Sequence, residues 1–245
     1  MNDTIYTHLE EYVNKHIGES ALVFCGGKTT ADFRFSGIFD DSKIIGMNSL
    51  IFLKLLKYRR MDYYFVQDYG WPESILSHGT HREFIYNYNA NYCKIQSFYG
   101  IRSWNDQFPL PKKSLFFEFL MAPVITKGGS RVEDFSLMRN FTFSSDISKE
   151  PIYSNSTILF SVMQFLLSMG FVKIYLVGAD SSDNGKWFNP NRKKMGWNSN
   201  FPAGNFQIKE RFKYFKEWKD NTYPEVDIIS INPIGLKGMF EDLYL

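Results

Sequence analysis

The most restrictive feature of the sequence is a series of short, unbroken apolar runs, each stopped by glycine, asparagine or aspartate. Ala21–Cys25 runs into Gly26 and Gly27, Lys43–Met47 into Asn48, Tyr63–Gln67 into Asp68, Lys173–Gly178 into Asp180, and Asp227–Ile231 into Asn232. Runs of this length without polar alternation read as strands buried on both faces, the mark of a parallel sheet covered by helices. Helical patterns stand between them: Leu50, Leu53 and Leu56 after the second run, Thr157–Met169 closed by Gly170, and Gln207–Asp220. Strands alternating with helices predict right-handed crossovers and one layered α/β core. The spacing of Leu9, Tyr12 and Val13 predicts a further helix over Thr7–His16, ended by Gly18. Cys93–Ser97 and Ser114–Glu118 read as strands, whereas Tyr99–Pro111 and Thr126–Glu150 read as loops or a lid.

A chain of 245 residues with no Gly/Ser run, Pro-rich spacer or block of like charge reads as one domain over 1–245, with 98–150 as a lid or insertion. The net charge of +2 is too small for a nucleic-acid partner, which requires a concentrated basic face. The 2 cysteines, Cys25 and Cys93, argue against a disulfide framework and for a reducing compartment. No stretch approaches the roughly 18 apolar residues of a membrane span. These features predict a cytoplasmic protein, with peripheral contact at the inner face of a membrane left open.

In an open parallel sheet, ligands bind outside the carboxyl ends of the strands. The segments delivered there are Gly26–Thr30, Asn48 with Ser49, Asp68, Asp180 onward, and Asn232–Gly235. Gly26 and Gly27 let backbone N–H groups approach a phosphate closely, with Lys28 adding charge and Thr29 or Thr30 a hydroxyl. The bland alternative is a tight βα turn, and neither the G-x-x-x-x-G-K-[ST] nor the G-x-G-x-x-G pattern is present. Asn48 suits a base or ribose contact, or else a helix N-cap that Ser49 would fill equally well. Asp68 has the same pair of readings. Asp180 stands where a general base or a sugar-orienting carboxylate belongs. Asp180 to Gly185 matches the first half of a calcium loop, but its twelfth position is Asn191 rather than Glu. His78 and His81, in a loop soon after Asp68, are placed to reach the same edge. His8 and His16 belong to the predicted N-terminal helix and read as exposed and inert. Cys25 reads as a small buried residue rather than a nucleophile. No metal motif is present, and no cofactor is expected.

The segment from Ser154, Asn155, Ser156 and Thr157 through Met169 to Asp180 resembles the central helix–strand unit of bacterial sialyltransferase-like glycosyltransferases. It is similar as well to the related group of flagellin-modifying accessory proteins and archaeal 6-hydroxymethylpterin diphosphokinases. Phe24–Thr29, Gly46–Asn48 and Asn232–Gly238 stand in the same order as those families' nucleotide loop, second-strand Asn and final strand. The resemblance covers about residues 20–70, 152–190 and 205–240 and implies a Rossmann-like, GT-A-variant fold. It implies that Gly26, Gly27 and Thr29 hold phosphate and that Asn48 contacts the nucleotide; Lys28, Thr30 and Ser49 are the further nucleotide-binding candidates. It places Ser154, Asn155 and Asp180 along the sugar site; Ser156, Ser181 and Asn232 are the further substrate-binding candidates. Lys28 and Thr29 replace the families' Pro-Ser, and residues 181–230 lack the histidine expected of a sialyltransferase. Asp180, Asp68, His78 or His81 is then left to act as base. The implied activity is metal-independent transfer of a sugar from a CMP- or UDP-activated donor to a glycan or lipid-linked acceptor, in bacterial surface-polysaccharide assembly. The alternatives are an ATP-dependent diphosphokinase of the pterin type and a non-catalytic nucleotide- or sugar-binding module.

Overall fold

A computed structural model describes residues 8–47, 61–67, 96–100, 114–117, 119–121, 124–127, 130–133, 143–154, 157–180 and 204–245. The predicted helix through Leu50, Leu53 and Leu56 lies outside them.

The apolar runs form strands, and the strands form a parallel sheet. In chain order they are β1 (Ser20–Phe24), β2 (Lys43–Met47), β3 (Tyr63–Val66), β4 (Gln96–Gly100) and β5 (Ser114–Phe117), then β10 (Lys173–Val177), β11 (Asp227–Ile231) and β12 (Glu241–Leu243). They assemble as an 8-stranded sheet in the order β12-β11-β10-β1-β2-β3-β4-β5. Every neighbouring pair is parallel, in registers such as Phe24 opposite Val177 and Met47 opposite Phe65. From β1 the chain therefore builds outward to β5 on one side and later from β10 to β12 on the other. The order reverses between β1 and β10, and such a switch point opens a crevice at the carboxyl ends.

The fold is α/β and Rossmann-like, with helices covering the sheet. Among the described residues the helices include α1 (Thr29–Asp32), α2 (Ile158–Ser168) and α3 (Gly204–Thr222), with 3-10 turns at Glu10–Tyr12 and Gly37–Phe39. Both faces of the central strands are covered, and Ala21, Leu22, Val23 and Phe24 are wholly buried. On one face Phe165 of α2 packs against Phe65, Phe98 and Phe117 at centroid distances of 5.1, 4.9 and 5.1 Å. On the other, Phe24 meets Phe33 at 5.3 Å and Phe39 meets Tyr175 at 5.0 Å. Much of the aromatic content is thus core. Truncating a ring such as Phe165 to alanine costs about 3–5 kcal/mol.

The helix α2 shows why the sequence reads so well here. Thr157, extended at φ −142, caps the first turn by accepting from the Leu159 N–H. At the other end Gly170, at φ 88, bonds through its N–H to the Leu167 carbonyl while Phe171 bonds to Leu166. This is the Schellman pattern, which needs a left-handed residue just past the helix.

Three expectations need correction. His8 and Leu9 are helical, but Glu10–Tyr12 is a 3-10 turn followed by turns as far as Gly18, with Asn14 at φ 59, rather than a helix to His16. The strand expected over Cys93–Ser97 lies at Gln96–Gly100. The stretch expected as loop or lid contains β7 (Val124–Lys127) and β8 (Ser130–Glu133), an antiparallel pair. A separate short ladder pairs β6 (Phe119–Met121) with β9 (Ile152–Ser154), parallel. Among the described residues no helix is long and apolar enough to cross a membrane.

Candidate functional site

At the switch point the pairing of β1 with β10 continues past both strands. Cys25 donates its N–H to the Val177 carbonyl at 2.7 Å, and Gly27 donates to the Gly178 carbonyl at 2.9 Å. The two loops touch backbone to backbone, and glycine is what allows it. A Cβ on Gly27 would lie 2.4 Å from both Asp180 Oδ2 and the Gly178 oxygen. One on Gly178, which has φ +74, would lie 1.8 Å from Thr30 Oγ1. Gly27 is therefore required for close approach and Gly178 for both approach and backbone conformation.

Side chains lock the contact. Thr30, fully buried, donates its hydroxyl to the Cys25 carbonyl at 2.6 Å, with the Val177 carbonyl at 3.3 Å. Thr29 bonds to Asp180 twice: its N–H reaches Oδ2 at 3.0 Å and its hydroxyl reaches Oδ1 at 2.5 Å. Asp180 is 4% exposed, and its carbonyl accepts from the Gly235 N–H at 2.6 Å. One residue thus joins the loops after β1, β10 and β11. A buried carboxylate that accepts bonds from two donors on one residue holds that residue's backbone in place.

The sequence-predicted residues divide accordingly. Gly26, Gly27, Lys28, Thr29, Thr30 and Asp180 come together, with Lys28 exposed. Asn232, at φ 46, bonds to the end of β12: its N–H donates to the Leu243 carbonyl and its Oδ1 accepts from the Leu245 N–H at 3.0 Å. Ser154 closes β9 in the smaller ladder. Asn48, Ser49, Asp68, His78, His81, Asn155, Ser156 and Ser181 lie outside the described residues. Cys25 is buried; burial, and secondarily the Asp180 charge, push its thiol far above the ordinary range. Among the described residues no three His, Cys, Asp or Glu side chains gather as metal ligands.

His16 departs from its expected exposure. It is 7% exposed, stacked on Phe171 at 4.6 Å, with Nδ1 against Glu19 at 3.1 Å and Nε2 against the Tyr63 hydroxyl at 2.6 Å. It clasps the N-terminal segment to the amino end of β3, away from the candidate site. A 270 Å³ cavity there is lined by Tyr12, Lys15, His16, Lys43, Asp62, Tyr63 and Gln96.

Sequence reasoning gave no role to the polar residues of α2. Ser161, Gln164 and Ser168 are buried in an otherwise apolar helix. Their spacing of three and four residues puts them on one face, which is the signal that marks them. Ser161 bonds to Gln67 at the end of β3, and Ser168 Oγ accepts from the Ile147 N–H at 3.3 Å.

No protein-family model matches the chain, and no curated protein matches it. The chain is similar to one solved glycosyltransferase. That structure is the MAf glycosyltransferase from Magnetospirillum magneticum AMB-1, at TM-score 0.48 and 14% identity, over 98% of this chain and 38% of that one. The chain spans well under half of that protein's length. A likeness this distant carries no argument, and the Rossmann-like form rests on the sheet described above.

Proposed function

We propose that the chain is a glycosyltransferase that takes its sugar from a nucleotide-activated donor, CMP- or UDP-linked, without a metal ion. The observation carrying this reading is the glycine loop after β1, held in place at the switch point by the two hydrogen bonds of Thr29 to Asp180. The Gly27, Thr29 and Thr30 N–H groups are taken by Gly178, Asp180 and Gly27, so in this reading the N–H groups of Gly26 and Lys28, held in place by that bracing, would meet the phosphate. In the proposed reaction an acceptor hydroxyl attacks the sugar's anomeric carbon. The bond from that carbon to the phosphate oxygen breaks, and the nucleotide leaves with the electron pair. The N–H groups of Gly26 and Lys28 would stabilise the charge gained by the phosphate, and the Lys28 ammonium adds a cation.

The hydroxyl proton must go to a base. Asp180 has both oxygens occupied by Thr29, so this reading gives it the brace and leaves proton removal to Asp68, His78 or His81. Ser154, Asn155, Ser156 and Ser181 would form the sugar side, with Asn48 and Ser49 on the nucleotide. Acceptors would be glycans or lipid-linked glycans of a bacterial surface polysaccharide, met at the inner face of the membrane.

Calorimetric titration with CMP, UDP, GDP, CDP and ATP, with and without Mg²⁺, tests the reading. Binding of CMP or UDP without metal, weakened by Thr29→Val, is the expected result. Binding of ATP with Mg²⁺ alone would move the assignment to diphosphoryl transfer. No binding of any of them would overturn both enzymatic readings.

A further inference from the structure

The buried amide of Gln164 makes more hydrogen bonds than α2 itself needs. Its Oε1 accepts from the N–H groups of Ser144 at 2.9 Å and Tyr153 at 3.0 Å. Its Nε2 donates to the carbonyls of Tyr153 at 2.7 Å and Phe160 at 2.9 Å. Gln164 is wholly buried, so both lone-pair directions and both amide hydrogens are used with no water in competition. Only the Phe160 bond is internal to the helix. The other three hold residues 143–154, a segment that enters the core through Phe143 and leaves it through β9.

Position gives the arrangement its consequence. Ser161, in the helix's first turn, reaches Gln67 at the end of β3, so α2 starts at the carboxyl edge of the sheet. Its last turn meets the amino-edge segment, where Asn14 and His16 donate to the carbonyls of Ser168 and Met169. The strand β9 runs past Gln164 toward the carboxyl edge and ends at Ser154, with β6 paired alongside. Tyr153 is gripped at both its N–H and its carbonyl, which fixes the strand's register and rotation together. Ser168 and the Tyr223 hydroxyl, the latter donating to the Ser145 carbonyl at 2.8 Å, hold the same segment at other points.

We infer that Gln164 is a positioning residue that sets where the β9 end, and with it the sugar-side candidate Ser154, stands relative to the loop after β1. The sugar-side role rests on the proposed function; the grip on residues 143–154 does not. An apolar side chain of similar length would leave the Ser144 and Tyr153 N–H groups buried without partners, and the segment would open locally.

Hydrogen exchange followed by mass spectrometry on the wild type, Gln164→Met and Gln164→Glu tests the inference. In Gln164→Met, exchange over 143–154 should rise about tenfold or more while peptides of β1, β10 and β11 stay unchanged. Gln164→Glu keeps the accepting oxygen but, when ionised, turns a second acceptor on the Tyr153 and Phe160 carbonyls, so exchange over 143–154 should rise in it too, and rise less at acid pH, where the protonated carboxyl can donate to one of them. Calorimetry should show CMP or UDP affinity unchanged in Gln164→Met, while turnover of the corresponding nucleotide sugar falls in kcat and not in the donor's KM. Faster exchange spread evenly over the chain, or no change at 143–154, would overturn the inference. If Gln164→Met does not fold, the wild type decides: Ser144 and Tyr153 amides must exchange as slowly as those of β10, and fast exchange there is equally fatal. A wild type that binds no nucleotide overturns the proposed function, and the exchange pattern still decides the role of Gln164.

Discussion

Thr29 gives Asp180 both of its donors, the backbone N–H at 3.0 Å and the hydroxyl at 2.5 Å. The pair spans the loops after β1 and β10, the strands between which the sheet order reverses. Two substitutions separate a brace from a base. Asp180→Asn keeps an oxygen for the Thr29 N–H, and the Thr29 hydroxyl can turn to accept from the new amide. It should cost about 1 kcal/mol or less, whereas Asp180→Ala should cost about 2–4 kcal/mol by stranding two donors. Urea denaturation measures both. If a transferase activity is found, Asp180→Asn should retain most of it; a loss of several orders of magnitude would return Asp180 to the role of base.

Gly178→Ala is expected to be among the most damaging single changes in the chain. The new methyl would overlap Thr30 Oγ1, and the residue would be forced to keep φ +74. Overlap and backbone strain together should cost more than about 3 kcal/mol. A soluble, cooperatively unfolding Gly178→Ala protein with near-wild-type stability would contradict the described loop contact.

Much of this fold was legible because its strands are buried on both faces. Lys43–Met47 and Asp227–Ile231 carry their identity in an unbroken apolar run, and the sequence limits match the observed strands. Gly170 marks the end of α2 equally well because only a left-handed residue completes that cap. The short strands escaped notice for the converse reason. Three residues such as Ile152–Ser154 or Glu241–Leu243 cannot display a period. The β7–β8 pair did leave a trace, since Gly128 and Gly129 between two β-rich runs form a hairpin signal. At the site, Gly26–Thr30 and Asp180 were found as strand ends, but their mutual bonding was not. That contact depends on the pairing of β1 with β10, whose partners such as Ser20 and Lys173 are far apart in the chain, which no local pattern encodes.

Acid should destabilise the fold through specific carboxylates. Burial opposes ionisation of Glu19, but hydrogen bonds from His16 and Lys43 outweigh it and hold the carboxyl below its ordinary 4.5. Burial likewise opposes ionisation of Asp146, and bonds from Lys149 and Ser148 carry it below 3.8. A carboxylate depressed in the folded state lends stability that is complete above its unfolded pKa and lost as pH falls through the folded one. The urea midpoint should therefore stay level down to about pH 5 and then decline. Asp146→Asn should shallow that decline, and an unaltered slope would remove Asp146 from the account.

The Cys25 thiol should be silent in the native state. It is 5% exposed, and burial holds it protonated well above neutral pH. In a Cys93→Ser background, iodoacetamide at pH 8 should leave Cys25 unmodified until denaturant is added, as read by mass spectrometry. Rapid native-state labelling would mean that the loop after β1 opens readily.

The helix α2 is buried at every residue from Ile158 to Ser168. Most helices keep one side for water and can wait, half-docked, for the rest of a protein to arrive. This one has no such side, so it behaves as a spindle around which other parts must close. Until residues 143–154 and α3 are in place, it would present an adhesive surface in nearly all directions. The vulnerable moment in the life of this chain is therefore its assembly, and a change that slows the closing of those partners should show itself as aggregation during synthesis before it shows as a loss of stability.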